Sequence, residues 1–107
     1  MTATANPETL PAPRRDDLRI EPVLAALSDP VRLLIVRTLA GTPGAQRPCG
    51  TFGLPVGKST ASHHFRVLRE AGVIHQRDQG RHRLTELRRD DMDARFPGLL
   101  DSIVSAA

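Results

Sequence analysis

The chain predicts a mainly α domain carrying a two-stranded β-hairpin. Three observations predict it. Residues 58–72 read as a helix with a polar nose, Lys-Ser-Thr-Ala-Ser-His-His, that stops at Gly72. An arginine-rich hairpin follows at once: Val73 and Ile74 lead into a strand, Asp78-Gln79-Gly80 supplies the turn, and Arg81 to Leu87 return. Upstream, Ser28-Asp29-Pro30 opens an apolar helix suited to the core. A helix small enough for the DNA major groove, beside a basic loop for the backbone, is the working end of a winged helix-turn-helix.

The 107 residues allow one domain and one modest core. No apolar stretch approaches the length that spans a bilayer. Met1 to Pro13 lacks the cationic start and apolar run of a secretory signal. The expected compartment is the cytoplasm, with no membrane partner. The single Cys49 forms no internal disulfide, which suits a reducing compartment. With three Phe and no Trp or Tyr, a stacking platform for single strands is not expected.

Residues 1–17 mix Thr, Ala, Asn, Pro and charges without an apolar period and read as a flexible tail. The domain then runs over 18–107, with order beginning at Leu18 and Ile20. Glu21-Pro22 marks a helix start with Pro at the first helical position. Ile20, Val23, Leu24 and Leu27 form one stripe. Asp29 caps the next helix, which runs through Leu33, Leu34, Ile35, Val36 and Leu39 to Gly41. It is apolar around most of its circumference, as a central core helix is. Thr42 to Gly50 reads as a loop. Thr51 to Val56 occupies the place of the first helix of a helix-turn-helix, but Gly53 and Pro55 limit it to a turn or so.

Gly57 precedes the polar-nosed helix, whose Ala61, Phe65 and Leu68 share a face opposite Ser59, Ser62, His63, Arg66 and Arg69. His64 falls between the two faces, half-buried and holding the helix in place. Asp90, Asp91 and Asp93 suit the start of a final helix. Pro97-Gly98 interrupts it, and Phe96, Leu99, Leu100, Ile103 and Val104 continue its stripe. Two apolar stripes on short terminal helices predict a two-fold dimer, with Val23, Leu24, Leu27, Phe96, Leu99, Leu100, Ile103 and Val104 at the interface.

Charge is concentrated. Between Gly57 and Arg89 stand eight cations and three anions, whereas the remainder carries seven cations and nine anions. A polyanion met by one face is the partner this distribution predicts.

The Ser-Asp-Pro-Val-Arg-Leu helix, the Ser-Thr-Ala-Ser-His-His-Phe-Arg-Val-Leu-Arg-Glu-Ala-Gly-Val-Ile helix and the Gly-Arg-His-Arg-Leu hairpin occur in this order. Together they resemble the ArsR/SmtB family of bacterial transcription repressors, from about Glu21 to Val104. The resemblance implies that the second helix lies in the major groove and the hairpin is the wing. It also implies a dimer built through the first and last helices. On the matching positions, Ser59, Thr60, Ser62 and His63 lie on the exposed nose of the recognition helix, facing phosphates and base edges. Arg66, one turn on, reaches a guanine or the backbone. Lys58 sits by the helix N-terminus, where N–H groups favour a phosphate. Arg77, Arg81, His82 and Arg83 flank the wing and meet sugar-phosphate or the minor groove. Arg69 and Arg88 read equally well as solvated side chains.

Members of this family are often switched by metal, and both usual sites lack their defining residues here. Cys49 falls near one of them without a second cysteine. The last helix offers Asp90, Asp91, Asp93 and Asp101 but no histidine. No cofactor is therefore expected. Nickel or zinc held by His63, His64, His75 or His82 would compete with the DNA face. Redox sensing at Cys49, with Arg47 lowering its pKa, would need an intersubunit or mixed disulfide; an inert loop cysteine is the simpler reading. Val56-Gly-Lys-Ser-Thr60 lacks the glycine a phosphate-binding loop needs at Phe52, and no strand precedes it.

The expected function is a dimeric DNA-binding repressor on a near-palindromic operator. An effector protein or a small ligand is the expected further partner; the alternative function is a protein-interaction module of the same fold that needs a partner protein or a metal effector to act on DNA. No enzyme is expected: neighbouring residues such as Ser62 and His63 diverge by about 100° on a helix.

Overall fold

The computed structural model describes residues 9–42, 44 and 46–106. Expectations for the tail over residues 1–8, for loop positions 43 and 45, and for Ala107 lie outside these. Asp29 does what its position predicts. Its Oδ1 accepts from the Val31 and Arg32 N–H groups at 2.8 and 3.1 Å. With Pro30 at the first helical position, these bonds start α2 (Pro30–Ala40). Those two bonds, the one from Arg32 leading, hold the Asp29 carboxyl below its ordinary pKa against the opposing effect of burial. Helix α1 (Ile20–Leu27) precedes it and begins two residues earlier than Pro22 alone suggests. Pro22 still lies in the first turn, where its missing N–H costs nothing.

The longest helix, α3 (Lys58–Ala71), stops at Gly72, as expected. Gly72 adopts φ 94°. Its N–H donates to the Arg69 carbonyl, and the Val73 N–H reaches back to the Leu68 carbonyl at 3.0 Å. This is the paired bonding of a Schellman cap, with Val73 and Leu68 both buried beneath it. The chain turns directly into β2 (Ile74–Gln79), which pairs antiparallel with β3 (His82–Leu87). The strands run closer to the tip than expected, so the turn is Gly80-Arg81, with Gly80 at φ 62°.

The hairpin gains a third strand. Residues Gln46–Pro48, expected in a loop, form β1 and pair antiparallel with β3, giving the order β1-β3-β2. Pro48 is tolerated because β1 is an edge. A 3-10 turn over Cys49–Thr51 follows, instead of a helix within 51–56. Gly53, at φ 65°, and Pro55 leave the rest irregular. Phe52 pins this stretch to α3, edge-on to Phe65 with ring centres 5.2 Å apart. After the wing, α4 (Arg89–Arg95) and α5 (Leu99–Ser105) are separated at Phe96-Pro97-Gly98.

The core gathers Val23, Ala26 and Leu27 from α1, Ile35, Val36 and Leu39 from α2, and Phe65 and Leu68 from α3. Ile74, Leu87, Met92 and Leu100 close it. This corrects part of the expected interface: Val23, Leu27 and Leu100 are buried inside the protomer. A stripe on a short helix faces its own core first, because that contact needs no second chain. Leu24 is 48% exposed, while Phe96, Leu99, Ile103 and Val104 are partly covered.

Residues 9–17 depart from the flexible-tail expectation. They lie along β2, with Thr9 bridging Arg77 and a 3-10 turn over Arg15–Asp17. Leu18 behind them is fully buried. Among the described residues, no helix is long and apolar enough to cross a membrane.

Candidate nucleic-acid interface

Helix α3 presents one face to the core through His64, Phe65, Leu68 and Ala71. That anchoring sets the opposite face outward by helical geometry. Lys58, Ser59, Thr60, Ser62, His63 and Arg66 are all exposed there. His64 is buried rather than half-buried. Arg32 donates through Nη1 to its Nδ1 at 3.0 Å, and Asp29 stands 4.0 Å away. An Nδ1 that accepts leaves the ring proton on Nε2. Arg32 also donates to the Ala26 carbonyl at 2.6 Å, so the start of α2 orients α3 through His64.

The wing folds over the far end of α3 and leaves a cleft of about 300 Å³. Ser59, Ser62, His63, Arg66, Arg69, Gln76 and Arg83 line it, with Phe65 at the floor. Five of the predicted contact residues thus meet around one concavity. Arg81 and His82 stand exposed at the tip of the wing. Arg77 is placed apart from Arg83. By strand alternation Arg77 faces away from α3, and it lines a second hollow with Thr9, His75, Leu84 and Glu86. Lys58 and Thr60 belong to the nose of the helix but not to the cleft.

The cleft is electropositive. Arg83 pairs with Asp78 at 2.9 Å, but both partners are largely exposed, so the pair holds weakly. Arg66 enters no ion pair among the described residues. Burial, then repulsion from Arg83, lowers the pKa of the Arg69 guanidinium, and Arg66 adds to that repulsion. Three cations line this concave surface and, among the described residues, no carboxylate lines it with them, which favours an anion there.

Arg69 is the residue that sequence reasoning undervalued. Its spacing from Arg66, three positions on, placed it on the right face. Gln76 escaped notice entirely: it is buried, accepts from Arg69 at 2.8 Å, and donates to Thr85 at 3.1 Å. An inward-facing polar residue in a strand was the available signal. Arg88 is not solvated but buried, bonded to Asp91 at 2.9 Å and to the Pro13 carbonyl at 2.7 Å. Burial pushes the Asp91 carboxyl up, yet the hydrogen bonds from Arg15 and Arg88 outweigh it and hold the pKa down. His75, on the outer face of the wing, has a buried Nδ1 without a hydrogen-bond partner among the described residues. Burial, with Arg88 nearby, lowers its pKa. Among the described residues, no group of three or more His, Cys, Asp and Glu side chains is placed to hold a metal.

A core-anchored helix with a polar outer face, beside a basic three-stranded wing, defines a winged helix-turn-helix DNA-binding protein. Residues 29–76, from the α2 cap into β2, match the family described as bacterial regulatory protein, arsR family. The chain is also similar to YceK of Bacillus subtilis (strain 168), an uncharacterized HTH-type transcriptional regulator. The two are 39% identical over 90 residues, which cover 82% of this chain and 88% of YceK. The chain belongs to the arsR family of bacterial regulatory proteins. It is a DNA-binding transcriptional regulator and not an enzyme.

Proposed function

We propose that the chain is a dimeric, cytoplasmic repressor that places two α3 helices in successive major grooves of a near-palindromic operator. The observation that carries this is the convergence of Ser59, Ser62, His63, Arg66 and Arg83 on one electropositive cleft. In this reading Ser59, Thr60, Ser62, His63 and Arg66 meet base edges and adjoining phosphates. Lys58, Arg81, His82 and Arg83 hold the backbone, and Arg69 adds a cation to the cleft. Arg77 then contributes to the long-range field rather than to a contact, since it faces away from α3.

Dimerisation is supported by exposed apolar side chains on α1 and α2. Ile20, Leu24 and Leu34 are exposed. Leu24, Leu33 and Ile103 line a shallow apolar groove between α1, α2 and α5. A second copy burying these residues would space two recognition helices for paired half-sites. The repressor needs no resident metal in this reading; a small ligand or a partner protein supplies the signal.

The test is fluorescence anisotropy with a duplex from the region upstream of the coding sequence, against a scrambled duplex, over a range of salt. The expected result is preference for the native duplex, with affinity falling steeply as salt rises. Equal, weak and salt-sensitive binding to both would refute a repressor competent by itself and favour an interaction module that needs a partner.

A further inference from the structure

The segment Thr9 to Asp17 crosses three parts of the molecule. Thr9 bridges Arg77, and the Leu10 N–H donates to the Gln76 carbonyl at 2.8 Å. The segment next passes the end of α3, where Arg69 Nε donates to the Pro11 carbonyl at 3.2 Å. It then meets α4: Arg88 bonds the Pro13 carbonyl at 2.7 Å, and Arg15 bonds Asp91 at 2.6 Å. Leu18, buried against Gly72, anchors its end.

Arg69 is the junction. One guanidinium nitrogen holds the strap, and another holds Gln76 of the wing at 2.8 Å. Gln76 passes the connection to Thr85 on β3 at 3.1 Å. Among the described residues, the Arg69–Gln76 bond is the one side-chain hydrogen bond between α3 and the wing. The strap therefore grips Gln76 through its backbone and Arg69 through its side chain at the same time. On their outer faces the two DNA-facing elements are separated by the open cleft.

We infer that the strap over Thr9–Asp17 is a positioning element: it fixes the wing against α3 at the spacing the DNA backbone requires, without touching DNA itself. This rests on the DNA-binding reading of the cleft. A wing that is not held must be ordered when DNA binds, and that ordering is subtracted from affinity. Loosening the strap thus weakens DNA binding through the wing alone.

The test uses the full chain with Leu10→Pro, which removes the N–H that holds Gln76 while keeping an extended backbone. Amide exchange is followed in the wing and in α2, and DNA affinity is measured with and without Arg81→Ala. The expected result is faster exchange at Gln76, Arg77 and Thr85 with α2 unchanged. Affinity for the specific duplex should fall about fivefold, the scale of one net hydrogen bond. In the Arg81→Ala background the further loss should be under about twofold, because the wing contact is already weakened. Faster wing exchange with unaltered affinity would overturn the inference, as would equal losses in both backgrounds. If Leu10→Pro lowers α2 protection as well, Pro11→Gly, which only raises the freedom of the strap, takes its place in the same cycle. Wild-type chain that never prefers its own duplex would refute the DNA-binding reading and the strap's role with it, a result separate from any effect of the variants.

Discussion

Replacing Gly72 by alanine tests the joint between α3 and the wing. Gly72 sits at φ 94°, where a side chain is strained; the backbone cost is about 1–2 kcal/mol. A Cβ there would stand 2.0 Å from Leu18 Cδ2 and 3.3 Å from Pro13 Cγ. Leu18 is fully buried, so moving its δ carbon means repacking its neighbours. Overpacking at such a site costs about 1–3 kcal/mol. Together these give a loss of about 2–5 kcal/mol, a large share of the stability of a domain this size. Urea unfolding should show the midpoint falling with little change in slope. The packing part is isolated by Leu18→Val, which removes the δ carbons and by itself costs about 1 kcal/mol. The double variant should be less destabilised than the sum of the singles, by about 1–3 kcal/mol. Additive costs, or a Gly72→Ala loss below about 1 kcal/mol, would refute the contact between Gly72 and the strap's anchor.

Four further predictions concern the DNA face, the dimer and the α2 cap. Arg66→Ala should cost about 1–3 kcal/mol of DNA affinity and relax base preference; unchanged anisotropy titrations would mean that α3 is oriented differently on DNA. Arg81→Ala should weaken native and scrambled duplexes alike and make the salt slope shallower by about one. Leu24→Asp, at an exposed position, should leave the fold intact and raise the dimer dissociation constant at least about tenfold in sedimentation equilibrium; an unaffected dimer would place the interface elsewhere. Asp29→Ala should destabilise the chain by about 1–2 kcal/mol in denaturant unfolding. The Asp29 pKa lies below its ordinary 3.8, so the unfolded chain binds the proton first. That stabilisation is full above the ordinary value and disappears as pH falls through the folded one. The wild type and the variant should therefore converge in acid.

Elements whose signals are local were legible in the sequence. Asp29-Pro30 fixes the start of α2 because a carboxylate and a missing N–H satisfy the first turn without help from elsewhere. Gly72 ends α3 because glycine adopts the left-handed angle most cheaply. The exposed nose of α3 followed from helical periodicity, and with it Ser59, Ser62, His63 and Arg66. Periodicity set His64 at the margin of the core, but its burial and its bond to Arg32 depend on how α2 meets α3.

The sequence by itself determined the helices, the wing hairpin and the concentration of cations, since periodicity, caps and charge are properties of neighbouring residues. The tertiary structure alone decided the rest. Gln46–Pro48 has no strand pattern of its own and becomes one because β3 offers a free edge to pair with. The strap is Pro-rich and polar, and it is ordered because Arg69, Arg88 and Asp91 hold its backbone and Arg15. Arg88 is buried only because that strap and Asp91 satisfy its charge. The stripes of α1 and α5 announced burial but not its partner, and three-dimensional packing assigned Val23, Leu27 and Leu100 to the protomer while leaving Leu24 exposed. Hydrophobic periodicity states that a face leaves water; only the arrangement of the other elements states what it meets.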